Sequence, residues 1–270
     1  MTTSHLLHRP EGRLAYDVTG PADGPLLVCM PGMGELRSTY RHLVPLLAVR
    51  GYRVACLDLR GHGDSDATFG SYDDEALASD ALALVEHLGG PAYLVGNSMG
   101  AGAAVIAAAE RPGAVLGLVL LGPFVRNPAG GRLATALFRL ALLRPWGRAA
   151  FLSYYPKWTP GLRPEGYDEH AAAVRENLRR PGHWRAFVAT TRTSHAAAEA
   201  RLADVRAPAV VVMGTDDVDW KDPAAEARWI GGALSAEVVM APGVGHHPQA
   251  QAPLLVADAL DRLAQGVRRA

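Results

Sequence analysis

The segment that most constrains this chain reads Gly-Asn-Ser-Met-Gly, at residues 96–100. An apolar run precedes it at 91–95 and a run of small residues follows at 101–109, so the sequence predicts a strand, a tight turn and a helix. Only glycines at the flanks of such a turn let the strand and the helix pass so closely. The turn puts Ser98 at a helix N-terminus, where free backbone N–H groups and the helix dipole favour negative charge. Ser98 is therefore a candidate nucleophile.

Three carboxylates follow a later predicted strand, at residues 208–213. They are Asp216, Asp217 and Asp219, in the sequence Gly-Thr-Asp-Asp-Val-Asp. A serine hydroxyl becomes a good nucleophile when a base takes its proton and a carboxylate orients that base. Because sites gather at the carboxyl ends of parallel strands, each of the three is a candidate for the orienting role.

Two adjacent histidines, His246 and His247, follow the next predicted strand, at residues 236–240. They lie in the sequence Pro-Gly-Val-Gly-His-His-Pro. Histidine is the side chain that most often acts as a general base. The chain thus presents a serine, then a group of aspartates, then a pair of histidines, each just after a strand. This order differs from the two other common orders of serine proteases.

Four landmarks, in order along the chain, resemble those of the α/β-hydrolase fold family, and the resemblance covers nearly the whole chain. They are Met-Pro-Gly-Met-Gly at 30–34, Asp-Leu-Arg-Gly-His-Gly-Asp-Ser at 58–65, the turn at Ser98, and two later loops, Gly-x-x-Asp from Gly214 and Gly-x-Gly-His from Gly243. The resemblance implies a mainly parallel central sheet flanked by helices, with a helical cap inserted. It also implies a serine-nucleophile, esterase-like member of the family.

The resemblance implies roles for five residues. Ser98 would be the nucleophile, His246 the general base and then acid, and Asp217 the carboxylate that orients His246. The oxyanion hole would consist of two backbone N–H groups, those of Met33 and Met99. Donors that already point at the developing charge lower the barrier to acyl transfer.

The remaining polar candidates are interpreted as structural or surface residues. Asp216 and Asp219 are expected to be solvated turn residues, because the resemblance gives the acid role to their neighbour. His247 is expected to pack against the cap or to face water. His62 and His195 are expected to be structural or surface residues.

Apolar runs predict seven strands, and helical patterns separate most of them. The predicted strands are 13–19, 25–30, 52–58, 91–96, 115–121, 208–213 and 236–240. Continuous apolar strands that alternate with helices indicate an α/β protein with a mainly parallel sheet covered on both faces. The alternation breaks between residues 124 and 204, where helical patterns occur and no strand does. We therefore predict a core of residues 1–123 and 205–270 and a helical cap at 124–204.

Aromatic residues are concentrated in the predicted cap. They are Phe138, Trp146, Phe151, Tyr154, Tyr155, Trp158, Tyr167, Trp184 and Phe187. Small-molecule sites are mostly apolar and aromatic, so this content favours a hydrophobic ester or lactone, although the same residues could form the core of the cap. The residues predicted to bind substrate are Gly32, Phe124, Trp146, Trp158, Trp184 and Trp220.

The balance of charges excludes some classes of partner. Lys and Arg number 27 and Asp and Glu also number 27, so no net field favours nucleic acid or an anionic membrane. The two cysteines, Cys29 and Cys56, lie in predicted core strands and are expected to be buried free thiols. No run resembles a signal peptide or a membrane span. We expect a cytoplasmic monomer or homodimer whose partner is a small hydrophobic molecule.

The predicted function is hydrolysis of an ester, lactone or related acyl bond through an acyl-serine intermediate, as in a carboxylesterase or lactonase. Carbon–carbon bond hydrolases, thioesterases and perhydrolases use the same triad and stay open. Haloalkane dehalogenases and epoxide hydrolases of the family use aspartate where this chain has Ser98. A small-molecule receptor with vestigial hydrolase activity is the alternative from another class. No cofactor or metal is expected, because no phosphate loop, dinucleotide fingerprint or metal-ligand spacing occurs.

Overall fold

An eight-stranded sheet forms the centre of the protein, in a computed structural model that describes residues 4–128, 137, 140–143, 145–161 and 163–269. The strands are β1 His5–Arg9, β2 Gly12–Thr19, β3 Leu26–Met30, β4 Arg53–Leu57, β5 Ala92–Asn97, β6 Val115–Leu121, β7 Ala209–Gly214 and β8 Glu237–Ala241. Their order across the sheet is β1-β2-β4-β3-β5-β6-β7-β8. Strands β1 and β4 pair antiparallel with β2, and the other neighbours are parallel. The predicted, mainly parallel sheet is confirmed.

Strand β1 is the one strand that the apolar runs do not predict. It reads His-Leu-Leu-His-Arg and lies at the edge of the sheet, and of its five residues only Leu7 is buried. Leu7 pairs with Leu14 of β2. A short edge strand with one buried side chain contains no continuous apolar run, so the hydrophobic pattern does not reveal it.

Helices cover both faces of the sheet. The α-helices are α1 Leu43–Val49, α2 Asp74–His87, α3 Met99–Glu110, α4 Gly147–Tyr154, α5 Tyr167–Asn177, α6 His183–Thr190, α7 Ala196–Arg201, α8 Pro223–Leu234, α9 Pro248–Gln251 and α10 Pro253–Arg269. Short 3₁₀ helices are Arg37–Tyr40, Pro112–Ala114, Tyr155–Trp158 and Leu202–Asp204. Leu84 of α2 and Ile106 of α3 belong to the apolar cluster on one face, and Leu47 of α1 and Leu260 of α10 to the cluster on the other.

Strand β3 shows why the strand sequences are apolar throughout. Successive side chains of a strand point to opposite faces, and here Val28 belongs to one apolar cluster and Cys29 to the other. Cys29 pairs in register with Cys56 of β4. Both thiols are buried and free, as predicted.

Local sequence also determines where helices begin. Asp73 precedes α2, and its carboxylate accepts a hydrogen bond from the Ala76 N–H at 2.8 Å. Asp222 precedes α8 and binds the Ala225 N–H in the same way. An acidic cap satisfies an N–H group that the helix itself leaves without a partner. Asp222 also lies at the end of the loop that carries the candidate aspartates.

Between β6 and β7 the described residues form helices α4 to α7 and no strand. We call residues 124–204 the cap segment. Six of its aromatic side chains belong to one apolar cluster: Phe151, Tyr155, Trp158, Tyr167, Trp184 and Phe187. Phe138 lies outside the described residues, and the exact bounds of core and cap stay a prediction. Among the described helices, none has the length and apolar character that crossing a membrane requires.

Candidate active site

Ser98 lies at the junction between β5 and α3, as its sequence context predicts. Its backbone has φ 55° and ψ −120°, a conformation that residues other than glycine rarely adopt and that costs about 1–3 kcal/mol. Its N–H donates a hydrogen bond to the Leu121 carbonyl of β6 at 2.9 Å. The nucleophile candidate is therefore held in a strained turn at the carboxyl end of a central strand.

Close packing around this turn explains its two glycines. A Cβ at Gly96 would lie 2.2 Å from the carbonyl oxygen of Gly100, and a Cβ at Gly100 would lie 2.3 Å from that of Met30. Both distances are far shorter than the separation at which carbon and oxygen atoms attract each other. Strands β3 and β5 therefore approach helix α3 too closely for a side chain at either position.

Asp217 and His246 lie together beside the turn. The Nδ1 atom of His246 donates to Asp217 Oδ2 at 2.8 Å, and both side chains are buried. The side-chain amide of Asn97, the residue before Ser98, donates to the His246 carbonyl at 2.9 Å. The Ser98 hydroxyl has no hydrogen-bond partner among the described residues. In enzymes without substrate, catalytic hydrogen bonds are often long and tighten only in the complex.

Burial and charge act in opposite directions on this pair. Burial disfavours the charged form of His246, but the carboxylates of Asp217, Asp219 and Glu35 outweigh it and raise the pKa of His246 to about 9. Burial also favours the neutral acid at Asp217, but His246 outweighs it and lowers the pKa of that carboxyl. The site thus stabilises an imidazolium beside a carboxylate, which is the state that forms when a histidine base accepts a proton.

The loop after β3 packs closely against Ser98. A Cβ at Gly32 would lie 2.8 Å from the Ser98 Cβ. Met33 follows in this loop, and Met99 is the first residue of α3. Among the described residues, neither methionine N–H has a hydrogen-bond acceptor. Two free backbone donors beside a candidate nucleophile are the requirement for an oxyanion hole.

His62 holds this loop in place. The Gly34 N–H donates to His62 Nε2 at 3.1 Å, and His62 Nδ1 donates to the Arg60 carbonyl at 3.0 Å. Because one nitrogen accepts and the other donates, the ring is the neutral tautomer with its proton on Nδ1. Burial lowers the pKa of His62, which favours the same neutral form. His62 is therefore a buried structural residue, one of the two expected alternatives.

Comparison with known proteins shows the family of this chain. The sequence profile described as "Alpha/beta hydrolase family" matches residues 27–259. The chain belongs to the alpha/beta hydrolase family. A 2-hydroxy-6-oxononadienedioate/2-hydroxy-6-oxononatrienedioate hydrolase of Burkholderia vietnamiensis (strain G4 / LMG 22486) is 32% identical over 229 residues, which cover 77% of this chain and 75% of that protein. RutD of Variovorax paradoxus (strain S110) is 29% identical over 266 residues, covering 93% and 96%.

Solved structures share the fold of this α/β-hydrolase. Haloalkane dehalogenase DbeA from Bradyrhizobium elkani superposes with a TM-score of 0.83 at 23% identity, covering 100% of this chain and 99% of that one. The enol-lactonase from Burkholderia xenovorans LB400 superposes with a TM-score of 0.79 at 22% identity, covering 97% and 100%. At these identities the likeness shows the fold alone. The sequence relatives show the reaction class, and the protein is a hydrolase of this family.

Asp219 of the α/β-hydrolase is not the solvated turn residue that we expected. Its Oδ1 accepts from the Tyr154 hydroxyl at 2.9 Å and its Oδ2 from the Trp158 indole N–H at 2.8 Å. The same Oδ2 lies 3.7 Å from His246 Nδ1. Asp219 thus binds two side chains of the cap segment beside the candidate base, whereas Asp216 is exposed, as expected.

A metal ion would have to compete with these contacts. Within the part of the chain that the structure describes, Asp217, Asp219 and His246 can each bring one ligand atom within 4.8 Å of the others. The Asp217 and His246 atoms are already hydrogen-bonded to each other, and both oxygens of Asp219 accept from the cap segment. The arrangement suits proton transfer, and the expectation of no cofactor stays a prediction.

Glu35 is a buried carboxylate that no sequence pattern singles out. Its Oε2 accepts from His170 Nε2 at 2.8 Å, and the Tyr155 hydroxyl donates to its Oε1. His247 Nε2 lies 3.8 Å from Oε1. Burial by itself would raise the pKa of Glu35, but His170 and His247 outweigh it and lower that pKa to about 2. Glu35, in the loop after β3, therefore stays ionised. It connects that loop to the cap segment through His170 and Tyr155, and to the loop of His246 through His247.

His247 is buried against the cap segment, one of the two positions expected for it. Its ring lies 5.7 Å from that of Trp158 and 6.4 Å from that of Tyr155, between ring centroids. Burial outweighs the attraction of Glu35 and lowers the pKa of His247 to about 4. His247 is therefore neutral at neutral pH, while His246 is the histidine that carries a proton readily.

Several residues predicted to bind substrate surround the candidate base. The rings of Phe124 and Trp158 lie 5.7 and 5.6 Å from the His246 ring. Trp220 lies 4.7 Å from Phe124. Together with Gly32, which faces Ser98, these side chains form an apolar environment for the site, as small-molecule sites require.

Two of the predicted substrate-binding residues lie elsewhere in the cap segment. Trp146 is 52% exposed, and its indole N–H donates to the Leu140 carbonyl at 3.2 Å. Trp184 is buried and packs against Phe187 at 5.3 Å. Trp146 therefore lies at the surface of the protein, and Trp184 belongs to the core of the cap segment. A role for either in substrate binding stays a prediction.

Proposed function

We propose that this α/β-hydrolase cleaves an ester, lactone or related acyl bond of a small hydrophobic molecule through an acyl-serine intermediate. One observation carries the proposal. Ser98 occupies a strained strand-to-helix turn, and beside it His246 is held through Nδ1 by the buried Asp217. A serine at such a turn with an oriented histidine is the arrangement of serine hydrolases that act on acyl carbons.

The first half of the reaction forms the acyl-enzyme. His246 Nε2 takes the hydroxyl proton while Ser98 Oγ bonds to the carbonyl carbon of the substrate. The carbonyl oxygen becomes an oxyanion and accepts hydrogen bonds from the N–H groups of Met33 and Met99. When the carbonyl re-forms, the bond to the leaving oxygen breaks, and His246 gives that oxygen its proton. An alcohol leaves and an acyl-Ser98 remains.

The second half returns the enzyme to its starting state. Water enters, His246 Nε2 takes one of its protons, and the hydroxide oxygen bonds to the acyl carbon. The oxyanion forms and collapses again in the same hole. The bond to Ser98 Oγ breaks, and His246 returns the proton to that oxygen. A carboxylic acid leaves, and one water has been consumed for each acyl bond broken.

A carbon–carbon bond hydrolase is the second candidate. The 32%-identical relative from Burkholderia vietnamiensis is named for substrates that contain an oxo group and no ester. The same serine, histidine and oxyanion donors can act at a ketone carbonyl, with a carbon leaving group in place of oxygen. Hydrolysis of simple esters with no activity on such ketones would favour the first candidate.

A fluorophosphonate probe tests the proposal directly, because it phosphonylates only an activated serine. Intact mass would be measured for the wild type, Ser98→Ala and the matched variant Ser153→Ala, whose exposed hydroxyl bonds the Ala150 carbonyl of its own helix. We expect one adduct on the wild type and on Ser153→Ala, and none on Ser98→Ala. An unmodified wild type would overturn the proposal and favour the receptor, whereas an adduct that persists in Ser98→Ala would assign the nucleophile to another residue.

A further inference from the structure

The imidazole of the candidate base lies between two carboxylates. His246 Nδ1 is 2.8 Å from Asp217 Oδ2, which is a hydrogen bond, and 3.7 Å from Asp219 Oδ2, which is too long for one. Nδ1 carries a single proton, so a short, straight bond to one aspartate excludes the same bond to the other. The surroundings of the two carboxylates therefore determine which of them orients the base.

Two donors of the cap segment bind the more distant carboxylate. The Tyr154 hydroxyl donates to Asp219 Oδ1 at 2.9 Å, and the Trp158 indole N–H donates to Oδ2 at 2.8 Å. The two rings pack edge to face, with 5.8 Å between their centroids. Only 16% of the Asp219 side chain is exposed, so water has little room to replace either donor. The cap segment thus fixes the position of this carboxylate.

The nearer carboxylate is held by the loop itself. The Asp219 main-chain N–H donates to Asp217 Oδ1 at 3.1 Å, which leaves Oδ2 for His246. The part of the cap segment that carries the indole also packs directly on the histidine loop, since a Cβ at Gly245 would lie 2.4 Å from the Trp158 carbonyl oxygen. The two aspartates, the base and the indole are therefore fixed relative to one another.

Asp219 would become a competitor for the base if it lost its two donors. A buried carboxylate needs hydrogen-bond donors, and His246 Nδ1 lies only 3.7 Å from Oδ2. Opposite charges at such a distance attract each other strongly where water is excluded. A movement of about 1 Å would bring Oδ2 within hydrogen-bond reach of Nδ1.

We propose that Tyr154 and Trp158 are positioning residues that select which carboxylate orients the base. By binding both oxygens of Asp219, they hold it away from His246 and leave the Nδ1–H to Asp217. Since both donors belong to the cap segment, the correct pairing depends on that segment being docked. The inference rests on the proposed function and gives the cap segment a part in orienting the base.

Release of Asp219 in two backgrounds tests the selection. The double variant Tyr154→Phe/Trp158→Phe removes both donors but keeps two aromatic rings. In the wild-type background it should lower kcat/KM for 4-nitrophenyl butyrate, because Asp219 then competes for His246. In an Asp217→Ala background, where the base has lost its partner, the same two changes should raise kcat/KM by about ten- to a hundredfold, the effect of a hydrogen bond to a charged group. A purely structural role would lower activity in both backgrounds.

Three controls connect the gain to Asp219. Adding Asp219→Asn to the triple variant should abolish the gain. Tyr167→Phe removes a cap hydroxyl that is buried without a partner among the described residues, and Trp229→Phe changes an indole that lies under Arg126 on α8. Neither should raise the activity of Asp217→Ala. If Asp217→Ala does not fold, Asp217→Asn keeps the shape of the side chain and serves as the background, with the same gain expected.

Three kinetic results would overturn the selection. They are no gain from the double variant in the Asp217→Ala background, a gain that survives Asp219→Asn, and near wild-type activity of Asp217→Ala alone. The last result would mean that Asp219 reaches the base without being released.

A spectroscopic readout separates this inference from the proposed function. If the wild type cleaves no ester, the proposed function fails by itself. The selection is then judged from the downfield proton resonance of the His246 Nδ1–H, which is assigned by its loss in His246→Gln. This resonance should disappear in Asp217→Ala and return in the triple variant. A resonance that persists in Asp217→Ala, or that stays absent from the triple variant, would show that the two cap donors do not select the partner of the base.

Discussion

The main-chain N–H of His246 donates a 2.9 Å hydrogen bond to the main-chain carbonyl of Trp158. The backbone that carries the candidate base is therefore attached to the cap segment as well as to the sheet. The indole of the same tryptophan binds Asp219, so backbone and side chain connect the cap segment to two loops of the site. Substitutions in these loops should therefore affect His246 to different degrees, according to which contact each one removes.

Asp217 and Asp219 can be distinguished by substituting each with asparagine. Asp217→Asn should lower kcat by about a thousand- to ten-thousand-fold, because an amide can donate to Nδ1 and so hold His246 in the wrong tautomer. Asp219→Asn keeps one oxygen acceptor for the Trp158 indole and offers an amide N–H that the Tyr154 hydroxyl can accept, so it should cost less than about tenfold. Steady-state kinetics with a short acyl ester would measure both, and a larger loss in Asp219→Asn would reverse the assignment.

The pH dependence of kcat/KM should follow the protonation of His246. Only the neutral imidazole can accept the serine proton, so activity rises as pH increases through the histidine pKa. Burial lowers that pKa, but the nearby carboxylates outweigh burial and raise it to about 9, so activity should be half-maximal near pH 9.

Asp219→Asn removes one of those carboxylates and should move this midpoint to lower pH. The exposed Asp216→Asn is its matched control and should leave the midpoint in place. A profile that is identical in the wild type and Asp219→Asn would contradict the electrostatic role of Asp219.

Glu35 should contribute strongly to stability. Glu35→Gln keeps only one oxygen acceptor for the buried His170 and Tyr155, so one buried donor loses its partner, and the free energy of unfolding should fall by about 1–3 kcal/mol. Glu237→Gln breaks an ion pair with Arg262 in which both side chains are about half exposed, and should change it by less than about 1 kcal/mol. Urea unfolding at pH 7 measures both, and equal effects would show that Glu35 is not a structural centre.

The contribution of Glu35 should also depend on pH. Its folded pKa of about 2 is below the ordinary value of 4.5, so the stabilisation is complete above pH 4.5 and is lost as the pH falls towards 2. Comparison of wild type and Glu35→Gln at pH 7 and pH 3 should show the difference between them shrinking. A constant difference would mean that the carboxylate titrates normally in the folded state.

His62 should act on the rate through the loop that it holds. His62→Phe removes the acceptor of the Gly34 N–H and should displace the neighbouring Met33 N–H. The activation barrier should then rise by up to about 2.7–4 kcal/mol, which lowers kcat and leaves KM little changed. His42→Phe is the control, since His42 is a partly buried histidine that bonds the Glu165 carbonyl. A higher KM with an unchanged kcat would instead assign His62 a role in substrate binding.

The sheet and the elements of the site are predictable because each leaves a local signal. Buried parallel strands are continuous apolar runs, and the turn at Ser98 needs glycines within two residues on each side. Residues after strand ends meet at one edge of a parallel sheet, so His246 and an aspartate could be placed together before the structure was known. Asp217 as the specific partner came from the family resemblance and agrees with the observed contact.

The contacts of Asp219, Glu35 and His195 were not predictable because they depend on how separate loops pack. Glu35 meets His170 across 135 positions of sequence, and His195 meets Asp74 across 121. A hydrophobic pattern shows which face of an element is buried, but not which side chain lies opposite a given polar residue. A lone acidic residue in a glycine-rich loop therefore looks the same whether it faces water or a buried histidine.

The hydrogen bond from the Asn97 side chain to the His246 carbonyl joins residues 149 positions apart, and this separation affects the order in which the protein folds. It requires β5, β6, β7 and β8 to lie side by side, and β8 is the last strand to be synthesised. Contacts of such long range form late, after local helices. Recovery of hydrolase activity during refolding should therefore lag behind recovery of helical signal, and a ribosome-bound chain that ends before β8 would carry the candidate nucleophile with no base beside it.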